Sequence, residues 1–145
     1  MNNNLLISVR PKFAARILSG EKTIELRRLR PKVSSGDNLL FYISSPDKNL
    51  GAISKIKKIT TARLDLLWKE VKDNASVTHE EFMDYFKGRD SGYAIYFSKI
   101  KKFNNPIELE NIREIIPGFT APQSFRYFSN HELSTVLSVA FVIES

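Results

Sequence analysis

Lys22, Glu25 and Arg27 stand within one short segment, Gly20-Glu21-Lys22-Thr23-Ile24-Glu25-Leu26-Arg27. A lysine ammonium and an arginine fork are the side chains best suited to hold a phosphate, and a carboxylate kept beside them stays ionised and can accept an N–H or a proton. On a strand, Glu25 and Arg27 are two residues apart and share a face, so they reach each other or a common ligand. The same spacing also describes a solvated, salt-bridged strand of little energetic weight. Read as chemistry, Lys22 and Glu25 are the candidate catalytic pair if the protein turns over a substrate. With Arg27 they are candidate ligand contacts.

Further residues of the same kind lie nearby. Arg27, Arg28, Arg30 and Lys32 carry four charges interrupted by Leu29 and Pro31, a loop suited to tracking a phosphate backbone or simply to being solvated. Lys12 precedes them, and Ser44-Ser45-Pro46 ends an apolar run with two hydroxyls, which a plain turn explains as well as a ligand contact does. Late in the chain, Gln123 can bond a base edge, Arg126 a phosphate, and Tyr127 can stack a base. In that stretch Phe125 and Phe128 fit a packed face. The candidate binding set is therefore Lys12, Lys22, Glu25, Arg27, Arg28, Ser44, Ser45, Gln123, Arg126 and Tyr127.

Composition narrows the chemistry. The chain has 145 residues, 42% hydrophobic and 26% charged, and no cysteine. Thiol nucleophiles, disulfides and cysteine zinc sites are excluded, and two histidines make a histidine metal site improbable, so neither metal nor cofactor is expected. No apolar run approaches the ~20 residues that span a bilayer, and the N-terminal residues lack a signal-peptide pattern, so a cytoplasmic protein with no membrane partner is expected. The net charge of +6 is polarised: residues 1–60 hold 12 Lys+Arg against 4 Asp+Glu, residues 61–145 hold 10 against 12. A basic half of this kind attracts anionic partners, nucleic acid above all.

Periodicity says what positions these residues. Leu5–Arg10 alternates as a strand, Pro11 starts a short helix with Phe13, Ala14, Ile17 and Leu18 at helical spacing, and Gly20 stops it. Lys22–Arg28 alternates again, with Ile24 and Leu26 facing the core. Leu39–Ile43 and Gly51–Ile59 read as strands. Leu64, Leu67, Trp68 and Val71 form a helical stripe, and Thr78 with Glu81 makes a capping box for a second helix that Gly88 closes. Tyr93–Lys102 reads as one strand, Pro106–Leu109 as extended or turn, Ile112–Ile116 as a short helix, Pro122–Phe128 as an aromatic helical turn, and Leu137–Ile143 as a last strand. Strands with inserted helices give an α+β class, with about six strands able to close into a small barrel. One domain over residues 1–145 is expected.

Together these residues resemble the ASCH domain family of the PUA-like superfamily. The resemblance rests on Gly20-x-Lys22-x-x-Glu25-x-Arg27, supported by Ser8-Val9-Arg10-Pro11-Lys12, by Gly36-Asp37 before an apolar strand and Ser44-Ser45-Pro46, and by Pro122–Tyr127. It spans nearly the whole chain. It implies a small β-barrel with a cleft beside its first helix, and binding of RNA or a nucleotide-like ligand, often in transcription or translation regulation. Some relatives are enzymes: one group hydrolyses acetylated cytidine and another cuts RNA. In the first, a lysine at the position of Lys22 works with a threonine three residues later and a distant glutamate. Here Glu25 holds that later position, and Glu80 or Glu81 is the candidate for the distant carboxylate. This departure favours an RNA- or nucleotide-binding, regulatory protein. The alternative is a hydrolase of a modified nucleoside or of RNA with Lys22 as base. A protein-binding surface at residues 122–128 ranks last.

Overall fold

The computed structural model describes residues 3–142. Strand β1 (Asn4–Val9) leads directly into helix α1 (Pro11–Leu18), where proline occupies the first turn and needs no N–H partner. Gly20, at φ 86°, stops α1 and turns the chain into strand β2 (Ile24–Arg27). Strand β3 (Asn38–Ile43) then pairs parallel to β1.

Strand β4 (Asn49–Arg63) organises the rest of the sheet. Its first half pairs with β3 on one side and with strand β6 (Lys101–Glu108) on the other, and its second half pairs with strand β5 (Ser91–Phe97). A bulge between Ile56 and Lys58 marks the change. Bulges raise local twist and bend a strand, which is how one strand can serve two halves of a curling sheet. The order is β2-β5-β4-β3-β1-β7, where β7 is Phe125–Phe128 and β6 joins β4 off this path.

Three apolar clusters fill the layers. Leu5, Ile7 and Val9 pack with Ala14 and Ile17 of α1 on one face of the sheet. Leu6 and Leu40 on the opposite face meet helices α4 (Leu109–Ile115) and α5 (Asn130–Ala140). Ile24 and Leu26 pack under helices α2 (Leu64–Val71) and α3 (His79–Tyr85). Among the described residues, no helix is long and apolar enough to cross a membrane.

The first half of the chain follows its periodicity closely, and the Thr78/Glu81 capping box is present. The C-terminal third departs from it. The strand expected over Leu137–Ile143 is helix α5 up to Ala140, with Ile143 outside the described residues. Ser129 and Glu132 form a capping box that starts the helix, and Val136 and Ala140, one turn apart, are its buried positions. The helical turn expected over Pro122–Phe128 ends in strand β7, whose register against β1 places Phe125 and Phe128 on opposite faces. The single strand expected over Tyr93–Lys102 is split by a turn at residues 98–100, and Pro106 lies within β6. Proline is tolerated there because, among the described residues, β6 pairs on one side only. Among the described residues, seven strands therefore stand where about six are expected.

Candidate functional site

Glu25 and Arg27 leave β2 on the face opposite Ile24 and Leu26, yet they are not solvated: Glu25 and Arg27 are each 7% exposed and Lys22 2%. Lys22 sits just before the strand, where the Gly20 turn swings it to join them. One Oε of Glu25 lies 3.5 Å from Lys22 Nζ, and the other accepts from Arg27 at 2.8 Å. The carboxylate thus stands between two cations. Buried charges persist only when paired and hydrogen-bonded, and here each is.

Carbonyls from distant segments complete the arrangement. Lys22 Nζ donates to the Ala75 carbonyl at 2.7 Å, in the connection between α2 and α3. Arg27 donates to the Ser8 carbonyl at 3.1 Å and the Ser124 carbonyl at 3.3 Å. The Phe13 ring of α1 lies 5.7 Å from Lys22 Nζ. Two cations against one carboxylate leave a net positive charge in a nearly dry place. Arg27 Nε is buried with no hydrogen-bond partner among the described residues, an unused donor beside that charge. Burial pushes the Lys22 ammonium below the ordinary lysine value, with the Arg27 and Arg16 charges adding to the effect and Glu25 opposing it. Lys22 is the one member of the triad that lines a cavity of about 580 Å³, shared with Asn74 and the end of α1.

The other expected site residues divide. Ser124, in hydrogen-bond contact with Arg27, brings the neighbouring exposed Gln123 close to the triad. Ser44 donates its backbone N–H to the Val9 carbonyl, next to Ser8, while Ser45 is exposed. The Tyr127 hydroxyl accepts from Lys32 N at 2.7 Å and so ties the basic loop to β7. Arg28 stacks over the Tyr85 ring at 5.1 Å. Two residues go elsewhere. Lys12 pairs with Glu81, which also binds Arg16 at 3.3 Å. Arg126 lies on the other face of β7, against Phe119 and Phe128 and 3.4 Å from Glu132. Glu81 is not the carboxylate at Lys22; Glu25 is.

Several contributors were invisible in the pattern. The Ser8, Ala75 and Ser124 carbonyls act through backbone, which no residue type announces. Tyr85 reads as part of an apolar helix face, but burial raises its hydroxyl's pKa and the Arg27, Glu25 and Arg28 charges act on it. Glu81, held by Lys12 and by the cap N–H of Thr78, falls to about 2. Among the described residues, no group of three or more histidines or carboxylates is placed to hold a metal ion.

Comparison with known proteins places these features in a family. The model of a family described as "Domain of unknown function (DUF365)" matches residues 5–118. A Zymomonas mobilis subsp. mobilis protein named "ASCH domain-containing ribonuclease" is 27% identical over 139 residues, covering 96% of this chain and 93% of that protein. A crystal structure of ASCH from Zymomonas mobilis aligns with a TM-score of 0.90 at 27% identity, covering 97% of this chain and 98% of that one. An X-ray structure of a Pseudomonas syringae protein aligns with a TM-score of 0.60 at 19% identity over 95% of this chain and 99% of that one, a likeness of fold alone.

Proposed function

The chain belongs to the DUF365 family and carries an ASCH domain of PUA-like fold, and on that premise we propose that it binds RNA at the Lys22–Glu25–Arg27 site and cleaves the phosphodiester held there. The observation that carries this reading is the buried triad itself: two cations on one carboxylate, with an unused Arg27 donor. A phosphodiester oxygen complements that net charge. The likeness to a ribonuclease over nearly the whole chain supports the choice of RNA.

The chemistry assigns one role to each side chain. Arg27 holds a non-bridging phosphate oxygen. Burial lowers the Lys22 ammonium below the ordinary lysine value, and in the fraction of molecules that carry the free amine Lys22 takes the proton of the 2′-hydroxyl as its oxygen attacks phosphorus. The O2′–P bond forms, the P–O5′ bond breaks, and O5′ takes a proton from water. Glu25 holds both cations in place. Arg28, Ser44, Ser45, Gln123 and Tyr127 are outer contacts to the same strand. Lys12 and Arg126 are left out, because each is already paired with a carboxylate.

The test is incubation with end-labelled RNA and mass spectrometry of the fragments. This route leaves a 2′,3′-cyclic phosphate and a 5′-hydroxyl; fragments with 3′-hydroxyl and 5′-phosphate ends would rule it out. A second reading, binding without turnover in a regulatory role in the cytoplasm, is favoured by one contact, the 2.7 Å bond that commits Lys22 Nζ to Ala75. RNA bound and left intact selects it. Release of acetate from acetylcytidine would select the amidohydrolase alternative, against which Glu25 stands in the place of threonine.

A further inference from the structure

The cavity lined by Lys22 has a basic rim that the triad does not explain. Lys57 from β4, Lys99 from the turn after β5, and Lys102 from β6 line it together with Asn74 and Ser98, and no acidic side chain does. All three lysines are exposed, and among the described residues none is in an ion pair.

The fold holds them there by two devices. The first is the β4 bulge. Ile56 and Ile59 pack on the same cluster although three residues apart, so Lys57 and Lys58 both turn outward. Lys58 lies over the Tyr96 ring at 4.4 Å, and Tyr96 is fixed by its hydroxyl to Glu70 at 2.5 Å. Lys57, left over by the bulge, has no such partner. The second device is Ser54, a buried hydroxyl that donates to the Ser98 carbonyl at 2.8 Å. With the bond from Ser98 N to the Lys55 carbonyl at 2.9 Å, it pins the turn that carries Lys99. Like charges gathered on a fixed rim repel one another, and a polyanion relieves that repulsion.

We propose that this groove is the track for the phosphate backbone of a single-stranded RNA whose neighbouring phosphodiester lies at Lys22. The proposal rests on the RNA reading above and adds where the strand runs. The cavity, of about 580 Å³, gives such a strand a concave floor beneath the three lysines. Basic grooves that follow one backbone are the common solution for single strands.

The experiment measures anisotropy of a fluorescein-labelled 2′-O-methyl oligouridylate of about twelve nucleotides, which cannot be cleaved through a 2′-hydroxyl. Salt is varied for wild type, for Lys57→Gln/Lys99→Gln/Lys102→Gln, and for a control, Lys69→Gln/Lys87→Gln/Arg89→Gln, that removes as much exposed charge outside the groove. Each phosphate contact contributes about −0.7 to the slope of log affinity on log salt, so the groove variant should lose about 2 units of slope and about a hundredfold in affinity at ~0.1 M salt. The control should stay near wild type. If wild type binds and Lys22→Met loses cleavage while the groove variant keeps its slope, the track is overturned and the RNA reading stands. An equal loss in the control overturns the track as well. No binding by wild type at low salt overturns both.

Discussion

Replacing Glu25 with glutamine removes the carboxylate between Lys22 and Arg27 while keeping its shape. Its oxygens lie 3.5 and 2.8 Å from the two cations, and the Glu25 side chain is 9% exposed. At an effective dielectric near 20 each attraction is about 5 kcal/mol before desolvation is counted. Breaking one partner out of a buried ionic group costs about 3–5 kcal/mol, because the remaining charges are left uncompensated. Part of that loss has an escape. Glu25 is what holds the Lys22 pKa up against burial, so without it Lys22 sheds its proton more readily. A lysine whose folded value is depressed contributes stability above its unfolded value, near 10.5, and loses it as pH falls through the folded value. Glu25→Gln should therefore lose about 3–5 kcal/mol at neutral pH and recover part of it by pH ~9.5. Urea denaturation at the two pH values measures this, and repeating it with added sulfate should restore stability at neutral pH by filling the site. A loss below about 1 kcal/mol, unchanged by pH and by sulfate, would refute the triad as a coupled buried unit.

Other outcomes follow from the same contacts. Arg27→Lys keeps the charge but loses the fork that reaches Ser8, Ser124 and Glu25, and should cost about 2 kcal/mol in urea melts. Gly92→Ala places a methyl group against the Phe86 ring and Leu67, and should cost about 1–3 kcal/mol. Ser129→Ala removes the cap of α5 and should lower stability by about 1 kcal/mol, read by thermal melting. Glu81, with its folded value near 2, contributes stability present above its ordinary value of 4.5 and lost as pH falls toward 2. Wild type and Glu81→Gln should accordingly differ by about 1 kcal/mol at neutral pH and converge near pH 2.

The part of the fold that holds the site was legible because its signals are local. Pro11 and Gly20 bound α1, alternation sets β1 and β2, a short apolar run sets β3, and Thr78 with Glu81 caps α3. The C-terminal third misled because two periods overlap. Leu137, Val139 and Phe141 alternate, yet Ser129-Asn130-His131-Glu132 upstream starts a helix, and a helix that packs on the sheet outweighs the β preference of valine and phenylalanine. The sharing of a face by Glu25 and Arg27 could be read from spacing, but their burial could not, since it depends on α1 and the residue 124 segment closing over them. The path to Ala75, Ser8 and Ser124 runs through carbonyls up to 97 residues away in sequence, which pattern alone does not reveal. Arg126 looked like part of the same cluster until β7 turned it to the other face.

Whether Lys22 drives RNA cleavage is decided by comparing wild type with Lys22→Met on a 5′-labelled single-stranded RNA. Methionine fills nearly the same volume without the ammonium, and circular dichroism checks that the variant folds. Wild type should cleave this RNA, and Lys22→Met should cleave it at least a hundredfold more slowly, in keeping with loss of a general base worth roughly 10²–10⁴ in rate. Cleavage at the wild-type rate by Lys22→Met, or no binding of RNA by wild type at low salt, would contradict it.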